Sequence, residues 1–258
     1  MVSVLVETVI NMKKLTIALL SMFLMNTISF ADLELDDKYT TWHENGQIES
    51  ESNFKDGKLV SETVYEYYEN SHKSSVGNYK EGKSTGRFTF WYENGHKSSV
   101  GNYKDGKEDG KWTIWHENGQ IMGEGTYKDG NEDGKYTSWH EDGQIESEYN
   151  YKDGKQDGKM TLWGENGQKS VERNYKDGKK NGKQTWWHEN GQKSLELNLK
   201  LNILYGKRTL WYENGQIRSE GNYIGDEKQG KWTHWHENGQ IKLELNYKDG
   251  ICVSGDCK

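Results

Sequence analysis

A glutamate precedes a turn all along this chain, at Glu44, Glu69, Glu93, Glu117, Glu141, Glu165, Glu189, Glu213 and Glu237. Just before it stand His43, His116, His140, His188 and His236, while Tyr68, Tyr92 and Tyr212 fill that position elsewhere. Paired carboxylates can hydrolyse glycosides, and clustered imidazoles can hold zinc, but both chemistries need convergence. Glycoside hydrolysis requires two carboxylates facing each other across a cleft, one with a raised pKa, and a run of identical surface turns offers none. Zinc ligands must all lie about 2 Å from the metal, whereas equivalent atoms in successive units lie two strands, about 9.5 Å, apart. The loop DGKEDG at residues 105–110 lacks the alternating acids and the later glutamate of a calcium loop, and Lys107 sits where an oxygen ligand belongs. No nucleophile elbow, phosphate-binding loop, zincin or dinucleotide fingerprint occurs. The sequence assigns no catalytic residue, no metal and no cofactor, and the expectation is a protein that is not an enzyme.

The elements that would position such residues are repeats. The turn asparagines are Asn45, Asn70, Asn94, Asn118, Asn166, Asn190, Asn214 and Asn238, with Asp142 in one place; the spacing is 24 throughout except for a first step of 25. A fixed period of this length is the mark of a repeat architecture. Within a unit, KWTIWH at residues 111–116 leads through Glu117, Asn118 and Gly119 into QIMGEGTY, and then into a second turn rich in Asp and Gly. Gly and Asn accept φ > 0 cheaply, so each unit reads as a β-hairpin. The sequence predicts an all-β fold: an elongated, twisted antiparallel sheet of nine stacked hairpins over residues 32–250, with about 18 strands.

Register can be argued from the turn. A three-residue loop, with Glu117 and Asn118 in a type I turn and Gly119 as a bulge, puts Trp115 opposite Ile121. Simple alternation then places Thr113, Trp115, Ile121 and Tyr127 on one face. On this reading the rings Trp42, Tyr67, Trp91, Trp115, Trp139, Trp163, Trp187, Trp211 and Trp235 share a face with Tyr79, Tyr103, Tyr127, Tyr151, Tyr175, Tyr223 and Tyr247 as one structural ladder. Each ring can bury on the order of 150–250 Å², so the ladder would be the main source of stability.

Composition agrees. Hydrophobic residues are 31% of the 258, too few for a thick core, yet Trp 11 and Tyr 16 supply large apolar area, and Pro 0 leaves strand pairing unbroken. Mean hydropathy is -1.11 and the pI about 5.7. A net charge of -7 disfavours nucleic acid, whose phosphates are bound through Lys and Arg. The N-terminus differs: Lys13 and Lys14, an apolar run from Leu15 to Met25, then Ser29 and Ala31 form the pattern of an export signal. Residues 1–31 are expected to be a signal peptide cleaved between Ala31 and Asp32, with Met12 as the candidate initiator after residues 1–11. The membrane would be met only through this segment if it stayed uncleaved. The tail, 251–258, carries Cys252 and Cys257, a plausible disulfide in an exported chain.

The run from Tyr103 to Gln120, YKDGKEDGKWTIWHENGQ, resembles the MORN repeat in its bacterial variant form. The resemblance recurs over more than four-fifths of the chain and implies a long sheet of β-hairpins. It also implies an interaction or lipid-associated module, and a group often labelled antitoxins. The second unit departs with SETVYEYYENS, the eighth with LKLNILYG and the ninth with YIGDEKQG. Three functions follow: a protein-binding scaffold in the envelope or outside the cell, which the sequence favours; a carbohydrate or cell-wall module stacking sugars on its rings; and an antitoxin-like partner, which an export signal opposes.

Overall fold

A computed structural model describes residues 37–257. The expected export signal and its Ala31–Asp32 junction lie outside them. The described residues form one open antiparallel sheet of 23 strands, with each strand paired to its chain neighbours. Nine hairpins make up the sheet. The incoming strands of the fourth to seventh hairpins are each split in two, as in Lys107–Glu108 and Gly110–Trp115, and Ile251–Gly255 closes the far end.

The turn chemistry explains the hairpins. In the fourth, the Gly119 N–H donates to the His116 carbonyl at 2.9 Å, and the Gln120 N–H donates to Asn118 Oδ1. Gly119 has φ +86°, which any Cβ would resist. Trp115 lies opposite Ile121, as the three-residue loop requires. The other turn is a two-residue loop: Lys128 pairs with Asn131, and Asp129 and Gly130 have φ of +51° and +86°. Both central residues at positive φ define the type I′ turn that matches strand twist. In the eighth hairpin Leu201 takes φ +52° where the other units use Asp, Glu or Gly, a conformation that costs a residue with an ordinary Cβ roughly 1–2 kcal/mol.

The expected common face for Trp115 and Tyr127 does not form. One residue past Ile121 the ladder slips: Ile114 pairs with Gly123, leaving Met122 without a partner. Such a bulge puts two residues against one and inverts every side chain beyond it. Thr113 therefore faces Glu124, and Trp112 faces Gly125. The same slip recurs in every hairpin, at Glu49, Ser74, Ser98, Glu146, Ser170, Ser194, Arg218 and Lys242. The rings thus form two ladders on opposite faces. One face carries Trp42, Tyr67, Trp91, Trp115, Trp139, Trp163, Trp187, Trp211 and Trp235. The other carries Tyr79, Tyr103, Tyr127, Tyr151, Tyr175, Tyr223 and Tyr247.

At the C-terminal end Cys252 and Cys257 are joined by a disulfide. The bond folds the chain end at Cys257 back onto the last strand, whose Cys252 pairs with Tyr247 of the ninth hairpin.

Candidate interaction surface

The tryptophan face carries a row of ion pairs within its hairpins. Lys111 Nζ lies 2.8 Å from Glu124, and the pairs Lys159–Glu172, Lys207–Glu220 and Lys231–Glu244 repeat the contact at 3.2, 2.8 and 2.6 Å. Between them sit buried threonines such as Thr161 and Thr185. Each exposed pair contributes about 0–1 kcal/mol. Their main consequence is that lysine and glutamate charges on this face are matched within the first and the fourth to ninth hairpins.

The tyrosine face is built differently. Edge-to-face contacts run from Tyr79 to Phe88 (5.5 Å), Phe88 to Tyr103 (4.6 Å), Tyr103 to Trp112 (5.4 Å) and Trp112 to Tyr127 (6.3 Å). At the far end Tyr223, Trp232 and Tyr247 repeat the arrangement. These large rings, three residues before each strand-end tryptophan, were not singled out from the sequence. The signal was nonetheless present. A Cβ placed on Gly77, Gly101 or Gly221 would lie 2.0–2.1 Å from Phe88, Trp112 or Trp232, and one on Gly125 would lie 2.8 Å from Tyr136. Where the next hairpin offers Met160, Gln184 or Arg208 in place of a ring, the facing residue is Tyr149, Arg173 or Leu197. The bare backbone makes room for the ring.

Burial holds these tyrosines neutral. Tyr127 is pushed up to about 12, mainly by burial and then by the carboxylates of Glu132 and Glu108. Tyr103 is raised further for the same main reason, and Tyr79, Tyr136 and Tyr151 move in the same direction. An unfolded tyrosine ionises near pH 10. The folded chain therefore retains more protons above that pH, and stability, complete below about pH 10, falls as pH rises towards 12. Alkaline titration is expected to show late tyrosine ionisation coinciding with loss of β-sheet circular dichroism. Complete ionisation near pH 10 with the sheet intact would contradict it.

The turn edge locks hairpin to hairpin. His116 Nε2 lies 3.0 Å from the Trp139 carbonyl, and the Tyr92 and Tyr212 hydroxyls donate to the carbonyls of Trp115 and Trp235 at 2.7 and 2.8 Å. His and Tyr alternate in this position because both reach the same carbonyl. Asn118 Nδ2 donates to the Glu141 carbonyl, and Asn94 and Asn190 do likewise to Glu117 and Glu213. The repeated glutamates thus serve here through their backbone, and His116 and His188 as links between units.

Near the C-terminal end this edge opens into a groove of about 740 Å³, which Trp211 and Trp235 at the strand ends also line. Its lining includes His188, Tyr212, Arg218, His234 and Lys242, with the turn residues Glu213 and Glu237 at the edge. The Arg218 guanidinium lies 5.8 Å from the Tyr212 ring centroid. Among the described residues neither Arg218 nor Lys242 makes an ion pair. Burial, then the charges of Lys228, Lys242 and Arg218, lower the pKa of His234 and favour its neutral form. The site can therefore receive an anionic group.

A family model described as MORN repeat variant matches residues 38–56, 84–105, 108–129, 132–153, 156–177, 180–200, 204–224 and 228–249. The unmatched second hairpin still folds, with Tyr67 opposite Lys73. No curated protein matches the chain. Similar solved structures include the crystal structure of TcdB2-TccC3-Cdc42, at 11% identity and TM-score 0.25 over 83% of this chain and 15% of that one. Another is that of TcdB2-TccC3-TEV, at 13% identity and TM-score 0.27 over 88% of this chain and 16% of that one. The chain spans about one sixth of the length of those proteins, and at these scores neither likeness bears on fold or function.

Proposed function

Because this chain belongs to the MORN repeat variant family, we propose that it works as a non-enzymatic scaffold whose tyrosine face holds a protein partner outside the cytoplasm. One observation carries the reading. From the fourth hairpin to the ninth the tryptophan face pairs a lysine with its own glutamate, whereas in the eighth and ninth the tyrosine face leaves Arg218 and Lys242 without an ion pair beside an open groove. A face whose charges lack partners has electrostatic complementarity to offer, and a long row of hairpins multiplies weak contacts along an extended partner. The basic n-region and apolar run near the N-terminus support an exported protein.

Affinity capture from the native envelope with the full chain tests this. A specific protein should be retained, and Arg218→Glu with Lys242→Glu should weaken retention at least about tenfold. Lys111→Glu on the opposite face should leave it unchanged. Retention that ignores the face altered, or no retention of any protein, would overturn the proposal.

A further inference from the structure

The charges of the tyrosine face are sorted by position along the sheet. Ladder partners place Glu62 opposite Tyr79, Glu66 opposite Ser75, Glu108 opposite Tyr103 and Glu132 opposite Tyr127. In the bulge position, Glu146 accepts a hydrogen bond from Ser138 Oγ at 2.9 Å, and Glu49 occupies the same place in the first hairpin. All six acids belong to the first five hairpins. The bases follow in the last four. Arg173 lies 5.5 Å from the Trp186 ring, Lys180 opposite Tyr175, Arg208 opposite Gly221 and Lys228 opposite Tyr223. Arg218 and Lys242 complete them in the bulge position. In the ladder and bulge positions of this face, no described base lies in hairpins one to five and no described acid in hairpins six to nine.

Counted from the two ends, the opposite charges meet. Glu49 in the first hairpin and Lys242 in the ninth hold the same position, and Glu108 at the seam of the third and fourth hairpins falls one strand from Lys180 at the seam of the sixth and seventh. Glu62 and Arg208 are one step apart on the same face, and Glu66 and Arg218 are near neighbours in the second and eighth hairpins. A two-fold axis along the strands of the fifth hairpin lays one tyrosine face on another. It keeps every residue in its column and reverses the order of hairpins. Under that operation Glu49, Glu62, Glu66 and Glu108 come near Lys242, Arg208, Arg218 and Lys180, twice over, which is the self-complementarity an isologous interface requires, while Glu132 and Glu146 of the fifth hairpin face their own copies.

We propose that the tyrosine face is a docking surface for a second copy of this chain, arranged antiparallel, with the acidic half of each copy on the basic half of the other. The proposal rests on the reading of this face as the interacting one and names its partner. The area is sufficient: hairpins about 9.6 Å wide with strands about 20 Å long offer roughly 190 Å² each. About 800 Å² per partner makes a standard interface, and the nine hairpins together offer roughly twice that area. The open groove at Arg218 and Lys242 would receive the bulge-side acids of the first two hairpins, Glu49 and Glu66.

Sedimentation of the full chain over a range of protein and salt concentrations tests it, with circular dichroism confirming that each variant is folded. The expected result is a dimer that dissociates as salt shortens the range of the charges. Glu49→Lys or Lys242→Glu alone should weaken it at least about tenfold, since the two-fold turns two attractions into two repulsions. Both changes together should restore it. Glu146 lies in the central hairpin and meets its own copy, so Glu146→Gln should tighten the dimer. A chain monomeric at every concentration, or a double reversal that fails to restore association, would overturn the proposal. Partner capture sensitive to Arg218 and Lys242 from such a monomer would leave the broader scaffold reading standing.

Discussion

Replacing Trp232 with alanine is expected to destabilise the C-terminal hairpins by about 4 kcal/mol, within the range for emptying a buried tryptophan site. Trp232 is 1% exposed, the most enclosed ring in the described sheet. Its ring centroid lies 5.1 Å from that of Tyr223 and 6.2 Å from that of Tyr247, edge to face in both cases. It covers the backbone of Gly221, and its Nε1–H donates to the Asn222 carbonyl at 3.2 Å. Lys228 Nζ stands 4.8 Å from its centroid. No layer lies above to refill the space. Stability in a stacked-repeat protein is nearly a sum of local and nearest-neighbour contributions, so the damage should stay local. Hydrogen exchange should accelerate through residues 217–255 and change little in hairpins three to five. Uniform acceleration across the sheet would show instead that the ladder is one cooperative unit.

The second large effect comes from adding atoms. Gly101→Val is expected to cost about 3 kcal/mol, at the upper end of overpacking penalties. Its φ is not positive, so the backbone tolerates a side chain, but a Cβ would stand 2.0 Å from the Trp112 indole, a rigid ring with the sheet behind it. Trp112 must then leave its place between Tyr103 and Tyr127. A double-mutant cycle isolates the cause. Gly101→Ala should be costly with Trp112 present. In a Trp112→Ala background it should be neutral or slightly stabilising, because alanine loses less backbone entropy than glycine. Thermal or denaturant unfolding of the four proteins gives the coupling. Additive effects would mean that the glycine is there for another reason.

Much of this architecture was legible in residues alone. Eight Asn-Gly or Asp-Gly pairs at fixed spacing specify hairpins because they accept the φ values of the three-residue turn, and the coordinates place Gly119 and its equivalents there. The match between Gly77, Gly101, Gly125 and Gly221 and the rings of the next hairpin was also written in the sequence. It becomes readable only when the strand that lies alongside is known, since the facing residues are 11 positions apart on different hairpins. Arg218 and Lys242 carried no signal, because an isolated cation in a polar chain means nothing until its face is fixed.

The period, the hairpin, the three-residue turn and the strand-end tryptophans and tyrosines were fixed by residues alone, since each depends on a residue's own conformational range or apolar area. Tertiary structure alone decided which rings share a face. That assignment turns on one unpaired residue per hairpin, filled by Glu49, Ser74, Met122, Arg218 and others with nothing chemical in common. The bulge is set by how the backbone hydrogen bonds of the turn meet those of the ladder, not by the side chain that occupies it. A shift of one residue there sends Trp115 and Tyr127 to opposite faces, and with them the acids and bases whose order makes the tyrosine face a surface for binding.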